Sequence, residues 1–122
     1  MDKKRILIIE DDSDYLDVLT DILKKEDYEV AGVGMGFDVI EDIIDRKPDM
    51  IITDLMLPYI SGEQIAGILI KNDVIGGIPI IVISSKDENE IREAAGRIDA
   101  VGYLRKPVDT DKLLELIKDH IK

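Results

Sequence analysis

Cysteine and tryptophan are both missing from this 122-residue chain. The lack of cysteine excludes a disulfide framework, a thiolate metal site and a cysteine nucleophile, and it fits a reducing compartment. Aromatic residues make up only 4% of the chain, so the core must be built mainly from aliphatic side chains. Because 45% of the residues are hydrophobic, there is enough apolar mass for one domain of ordinary size, residues 1–122.

Long hydrophobic runs are also absent. The run Ile6–Ile9 is too short for a signal peptide, and no segment approaches the roughly 20 apolar residues of a membrane span. Positive charge is in deficit, since the formal net charge is -11. Such a field repels phosphate backbones. We therefore expect a cytoplasmic protein that neither enters a membrane nor binds nucleic acid directly.

The apolar residues form short, almost continuous runs, which are typical of strands buried on both faces. The predicted strands are Ile6–Ile9, Val30–Val33, Met50–Ile52, Ile78–Ile83 and Val101–Leu104. Amphipathic stretches with helical spacing follow them at residues 15–23, 37–44, 65–69, 91–95 and 113–121. Ser13 is suited to cap the first helix, and Asp109 or Thr110 the last. This alternation predicts an α/β fold, a single parallel sheet with helices on both faces.

Acidic residues follow two of the predicted strands. Glu10 and Asp11 come after the first strand, and Asp54 comes after the third. Ligands of an open parallel sheet bind at the carboxyl ends of its strands. One such acid alone would be an ordinary solvated loop residue, but three that converge repel each other unless a cation lies between them. The oxygen donors suit magnesium, and also manganese or calcium with less selectivity.

Ser84 and Lys106 follow the fourth and fifth strands. The ammonium of Lys106 could bind a carboxylate or a phosphoryl oxygen, or the residue could be an ordinary surface lysine. The Ser84 hydroxyl could equally cap the next segment or bind an anion. Pro107 fixes a turn in which a cis peptide bond is allowed. A carboxylate nucleophile, a hard cation, an ammonium and a hydroxyl are what phosphoryl transfer to an aspartate needs.

Four motifs resemble the receiver domains of two-component response regulators. They are ILIIEDD at Ile6–Asp12, DMIITDLMLPYISG at Asp49–Gly62, PIIVIS at Pro79–Ser84 and GYLRKP at Gly102–Pro107. Each motif is weak alone, but four in this order are highly specific and cover essentially the whole chain. The resemblance implies a flavodoxin-like, doubly wound sheet of five strands in the order 2-1-3-4-5. It also implies a phosphorylation switch that assists its own phosphorylation and dephosphorylation and is not a metabolic enzyme.

The resemblance also implies roles for individual residues. The phosphoacceptor would be Asp54. The ligands of magnesium, or of manganese, would be Glu10, Asp11, Asp54 and the backbone carbonyl of Met56. The residues that bind the phosphoryl group and switch would be Ser84, Lys106 and Tyr103, with Tyr103 turning into the space that the serine leaves. The structural residues of the adjoining loops would be Pro58, Gly62 and Pro107.

The phosphodonor would be a partner's histidine, since the single histidine of the chain, His120, is taken as structural or incidental. A sensor histidine kinase or a histidine phosphotransfer protein would dock around Ser13–Leu23. The output surface, for a partner that the sequence does not name, would be roughly Asp87–Lys122 of a monomer or a phosphorylation-dependent dimer. Met56 offers no polar side chain to guide a hydrolytic water and Lys86 adds a cation, which predicts slow loss of the phosphoryl group.

Three other interpretations compete with this one. The triplet Asp12-Ser13-Asp14 superficially fits the D-x-D motif of a haloacid-dehalogenase-like phosphatase, although the strand ends at Ile9 and the chain lacks room for a cap domain. A flavodoxin-like FMN carrier would need a phosphate-binding loop where acids 10–12 repel phosphate. A degenerate receiver would act only as a docking module, although all the reactive residues are present.

Overall fold

The computed structural model describes residues 3–33, 45, 47–54 and 77–121. These residues form the strands β1 Arg5–Ile9, β2 Glu29–Val33, β3 Met50–Asp54, β4 Ile80–Ser84 and β5 Gly102–Arg105. They also form the helices α1 Ser13–Lys25, α2 Glu88–Arg97 and α3 Thr110–His120. The helices predicted at residues 37–44 and 65–69 lie outside the described residues. Among the described helices, none has the length and apolar content to cross a membrane.

The strands form one parallel sheet in the order β2-β1-β3-β4-β5. The predicted fold class and strand order are therefore confirmed, with strand ends that differ by one or two residues from the predicted ones. The chain runs outward from β1 to β2 and then returns to β3 on the other side of β1. Such a reversal opens a crevice at the carboxyl ends of β1 and β3, which is where ligands of this fold bind.

The central strands β1, β3 and β4 are buried on both faces. Alternate residues of one strand point to opposite sides, so Leu7 of β1 joins a core beneath α2, whereas Ile6 and Ile8 join a core beneath α1 and α3. Helices on both faces explain why the strands show no polar alternation in sequence. Fully burying each Leu or Ile side chain contributes about 1.5–3 kcal/mol, so this packing holds the strand ends in fixed register.

Each described helix is preceded by an aspartate whose carboxylate accepts hydrogen bonds from backbone N–H groups of the first turn; these are Asp12, Asp87 and Asp109. The bonds satisfy donors that a helix cannot pair internally. The prediction of a cap at Asp109 is confirmed. The prediction that Ser13 caps α1 is wrong, because Asp12 holds that position and Ser13 is the first helical residue. A carboxylate also interacts favourably with the helix dipole.

Candidate functional site

The register of β1 and β3 brings acids from two separate segments together. Ile9 pairs with Thr53, so the residues that follow them in sequence, Glu10 and Asp54, lie side by side. Asp11 follows in the loop, and one carboxylate oxygen from each of the three acids lies within 4.8 Å of the others. Glu10 is fully buried and Asp54 is 5% exposed, whereas Asp11 is exposed. The predicted convergence of the three acids is thus present in the structure.

The ammonium of Lys106 reaches two of these acids. Its Nζ lies 2.8 Å from Oε2 of Glu10 and 2.6 Å from Oδ2 of Asp54. The backbone N–H of Lys106 donates to the carbonyl of Ser84 at 2.8 Å, which continues the pairing of β4 with β5 by one step. The peptide bond Lys106–Pro107 is cis, as the sequence allowed. The end of β5 therefore carries a cation into the acidic cluster.

Burial and charge shift the pKa values of this cluster. Burial raises the pKa of Glu10, while the hydrogen bonds from Lys106 and from the backbone of Asp12 oppose that shift. Burial alone would lower the pKa of Lys106, but its hydrogen bonds to Asp54 and Glu10 outweigh this, and the pKa is raised. The lysine therefore stays protonated. Three carboxylates and one ammonium leave an excess of oxygen donors and negative charge, a set that fits a hard divalent cation.

Ser84 lies fully buried at the end of β4. The pairing of Asp54 with Ile83 places the serine one step beyond Asp54 on the neighbouring strand. Its Oγ accepts a hydrogen bond from the backbone N–H of Lys86 at 3.2 Å, so the hydroxyl stabilises the local turn. A hydroxyl that accepts one hydrogen bond can also donate one. Both roles considered from sequence are therefore compatible with this placement.

Asp12 has a local structural role that the sequence analysis missed. Its Oδ1 accepts hydrogen bonds from the backbone N–H groups of Asp14 and Tyr15 at 3.0 and 3.2 Å. Its own backbone N–H donates to Oε1 of Glu10 at 3.1 Å. The aspartate that would be the nucleophile of a phosphatase is thus the cap of α1, and its backbone orients the buried glutamate.

Tyr103 and three loop residues complete the predicted set. Tyr103 pairs with Val82 across β5 and β4 and is half-buried against the core beneath α2. Met56, Pro58 and Gly62 lie outside the described residues, so their predicted roles stay predictions.

Tyr15 is a residue of the site that sequence reasoning treated only as a core position of α1. The centroid of its ring lies 4.6 Å from Nζ of Lys106. Its hydroxyl accepts a hydrogen bond from the backbone N–H of Val108 at 3.0 Å. Burial raises the pKa of Tyr15, which keeps the hydroxyl protonated. The available indication in the sequence was its place in the first turn of a helix that begins directly after the acids.

Comparisons with known proteins agree with this fold. Residues 6–118 match the family of response regulator receiver domains. Protein PilH of Pseudomonas aeruginosa is 33% identical over 113 residues, which cover 93% of each chain. The receiver domain of a modulated diguanylate cyclase from Desulfovibrio desulfuricans is 32% identical, with a TM-score of 0.84, and the match covers 98% of this chain and 94% of that one.

A structure with bound metal shares the fold as well. The receiver domain of a sensor histidine kinase from Pseudomonas aeruginosa, which has a magnesium ion coordinated in its active-site cleft, is 22% identical with a TM-score of 0.88. That match covers 98% of each chain. Because the family match spans residues 6–118, nearly the whole sequence, this chain belongs to the receiver domains of two-component response regulators.

Proposed function

We propose that this receiver domain is a signalling switch in which Asp54 accepts a phosphoryl group from the histidine of a sensor histidine kinase or of a histidine phosphotransfer protein. One observation carries the proposal. Asp54 ends β3 at the crevice of the sheet, beside Glu10, with the Lys106 ammonium 2.6 Å from its carboxylate. A nucleophilic carboxylate next to a fixed positive charge is the arrangement that phosphoryl transfer to an aspartate requires.

The transfer forms one bond to phosphorus and breaks another. A bond forms between a carboxylate oxygen of Asp54 and phosphorus while the bond from phosphorus to the donor's imidazole nitrogen breaks, and the imidazole leaves with the electron pair. The Lys106 ammonium and the Ser84 hydroxyl bind the non-bridging oxygens, over which the charge of the transition state is spread. Later attack by water on phosphorus releases inorganic phosphate and restores the carboxylate. In this sense the domain assists its own phosphorylation and dephosphorylation.

Magnesium, for which manganese could substitute, would supply further positive charge at the phosphoryl oxygens. Its proposed ligands are Glu10, Asp11, Asp54 and the backbone carbonyl of Met56. The first three are supported by the approach of their carboxylate oxygens to within 4.8 Å. A hard cation suits such a set because all the donors are oxygen atoms and most of them are charged.

The same residues support a switching mechanism. The phosphoryl group adds negative charge and acceptor oxygens, which draw the Ser84 hydroxyl and the Lys106 ammonium toward residue 54. Tyr103, half-buried on the neighbouring strand, then turns toward the space that the serine leaves. The output surface, roughly residues 87–122, consists of α2, β5 and α3. Two states that differ by a few kcal/mol are enough for this event to shift their populations.

The proposal extends to the extent of the domain, its oligomeric state and its partners. We assign residues 1–122 to one receiver domain, working as a monomer or as a phosphorylation-dependent dimer. The partner kinase or phosphotransfer protein would dock along α1, and we place the domain in the cytoplasm with that partner. The net charge of -11 argues against direct binding to nucleic acid.

The competing functions have less support. A haloacid-dehalogenase-like phosphatase would need the Asp12 carboxylate as its nucleophile, but that group caps α1. An FMN carrier would place its phosphate against the acids at positions 10 and 11. A docking module without chemistry would not need acidic, ammonium and hydroxyl side chains gathered at one edge of the sheet.

The test is to map the modified residue after treatment with acetyl phosphate. Mass spectrometry should find the phosphoryl group on Asp54, only when magnesium is present, and not at all in Asp54→Asn. Asp12→Asn is the matched control, because asparagine also caps helices well, and it should still be modified. Modification that persists in Asp54→Asn, or that maps to Asp12, would contradict the proposal.

A further inference from the structure

A closed circuit of contacts joins the start of α1 to the end of β5. Glu10 accepts from the backbone N–H of Asp12, and Asp12 accepts from the backbone N–H of Tyr15. The Tyr15 hydroxyl accepts from the backbone N–H of Val108. The ammonium of Lys106, two residues before Val108, donates to Glu10 and closes the circuit. Each contact lies between 2.8 and 3.2 Å. Tyr15 is the member of this circuit that connects the helix to the segment bearing the lysine.

Tyr15 contacts that segment at two separate points. The face of its ring lies 4.6 Å from Nζ of Lys106, a distance at which a cation is attracted to the ring. Its hydroxyl holds the backbone of Val108, two residues further on and beyond the peptide bond Lys106–Pro107. One side chain therefore fixes both the ammonium and the turn from which it projects.

Packing alone does not account for this residue. The side chain is only half-buried, and the neighbouring core positions of α1 that face the sheet, Leu19 and Leu23, are aliphatic and fully buried. A core position at the first turn would be filled as well by leucine or phenylalanine. Leucine would lose the cation contact as well as the hydrogen bond, and phenylalanine would lose the hydrogen bond to Val108.

We propose that Tyr15 is a positioning residue, which holds the Lys106 ammonium over the Asp54 carboxylate and thereby raises the rate of phosphoryl transfer. The inference rests on the proposed function, because it concerns the rate at which Asp54 is modified. Tyr15 acts through Lys106 and does not touch the phosphoryl group. Its effect should therefore disappear when the ammonium is removed.

The experiment is a double-mutant cycle on the intact chain at saturating magnesium. Initial rates of Asp54 modification by acetyl phosphate are measured by intact-protein mass spectrometry. Tyr15→Phe, which keeps the ring but loses the hydroxyl, should be slower by about fivefold, and Tyr15→Leu by about tenfold. In a Lys106→Met background, Tyr15→Leu should change the rate by less than about twofold, because interacting residues are not additive.

Two further measurements separate positioning from loss of structure. Magnesium affinity by calorimetry should not weaken by more than about twofold in Tyr15→Leu, since Tyr15 is not among the proposed metal ligands. Tyr28→Phe is the matched control, because Tyr28 is also half-buried but lies before β2 at the opposite end of the strands. Its rate should equal that of the unaltered protein.

Equal fold losses for Tyr15→Leu with and without Lys106 would overturn the inference. If Lys106→Met does not fold, hydrogen exchange provides the test. The Val108 amide should exchange at least about tenfold faster in Tyr15→Phe, because it loses its acceptor. Unchanged protection of this amide would overturn the inference. Failure of the unaltered protein to be modified at Asp54 would instead refute the proposed function. Normal modification that is insensitive to Tyr15 refutes the positioning role alone.

Discussion

The Lys106 ammonium lies 2.6 Å from the Asp54 carboxylate, although 52 positions of sequence separate the two residues. The same ammonium lies 2.8 Å from Glu10, which is 96 positions away. A lysine and a divalent cation would therefore share two of the three carboxylates of the site. Because their charges have the same sign, binding of the metal and placement of the ammonium oppose each other.

Lys106→Met should accordingly have opposite effects on two measurable quantities. Removing the ammonium leaves its carboxylates to the metal alone. Magnesium should then bind about 3- to 10-fold more tightly, as expected for losing a repulsion of about 1 kcal/mol, the interaction of two unit charges about 4 Å apart in water. Phosphorylation by acetyl phosphate should become about 100-fold slower, because a preorganised positive charge on the phosphoryl oxygens is lost. Calorimetry and a time course of modification measure the two effects.

Lys112→Met is the control for this substitution, since Lys112 is an exposed residue of α3. It should leave both quantities unchanged. Weaker magnesium binding in Lys106→Met, or an unchanged rate, would show that the lysine neither competes with the metal nor assists the transfer.

Magnesium should also stabilise the folded domain. At a free concentration ten times its dissociation constant, a ligand that binds only the native state adds about 1.4 kcal/mol. Asp11→Asn should lose much of this increment because it removes a charged donor from the exposed side of the site, whereas Asp21→Asn on the exposed surface of α1 should keep it. Urea unfolding with and without magnesium measures the increment. An equal gain in Asp11→Asn would remove Asp11 from the set of ligands.

The strands and the acidic cluster were predictable because both follow from short stretches of the sequence. Buried parallel strands are continuous apolar runs, and the residues that follow them meet at one edge of the sheet. The resemblance added the strand order and the roles expected of Asp54, Ser84 and Lys106. Once β1 and β3 pair in register, Glu10 and Asp54 must be neighbours, so this part of the site depends on few assumptions.

The contacts of Tyr15 and Asp12 could not be predicted in the same way. Helical periodicity accounts for Tyr15 without reference to Val108, which lies 93 positions away. Both residue types cap helices well, so the choice between Asp12 and Ser13 as the cap depends on the exact residue at which α1 begins. Such details are set by tertiary distances that a pattern of residue types does not contain.

The raised pKa of Glu10 predicts a specific dependence of stability on pH in the absence of metal. Burial makes the folded protein hold this proton more tightly than the unfolded chain. The carboxyl group therefore favours folding at low pH, and that contribution is lost as the pH rises from the ordinary value of 4.5 through the higher folded value. Glu10→Gln removes the dependence.

Urea unfolding in a chelator, from about pH 4 to about pH 7, measures this effect. The free energy of unfolding of the unaltered protein minus that of Glu10→Gln should fall as the pH rises. A flat difference would mean that Lys106 and Asp12 compensate the burial of Glu10 completely. A difference that grows with pH would mean that they outweigh it.

Asp12 should matter for stability and not for chemistry. Asp12→Ala removes the side-chain acceptor for two N–H groups of the first turn of α1, which costs about 1 kcal/mol for a helix cap of this kind. Asp12→Asn, which keeps an acceptor, should lose much less. Both variants should still be phosphorylated on Asp54. A stable Asp12→Asn protein that cannot be phosphorylated would revive the phosphatase interpretation.

The phosphorylated form should decay over minutes rather than seconds. Hydrolysis needs a water aimed at phosphorus, and the sequence places methionine at position 56, which cannot orient one. Lys86 is exposed, and its backbone N–H donates to the hydroxyl of Ser84. Residue 86 therefore lies next to a residue that we propose to bind the phosphoryl group. A carboxylate there could accept a hydrogen bond from water, so Lys86→Glu should shorten the lifetime, whereas Lys112→Glu on α3 should not. Decay after removal of acetyl phosphate, followed by mass spectrometry, gives the lifetimes, and loss within seconds in the unaltered protein would contradict this prediction.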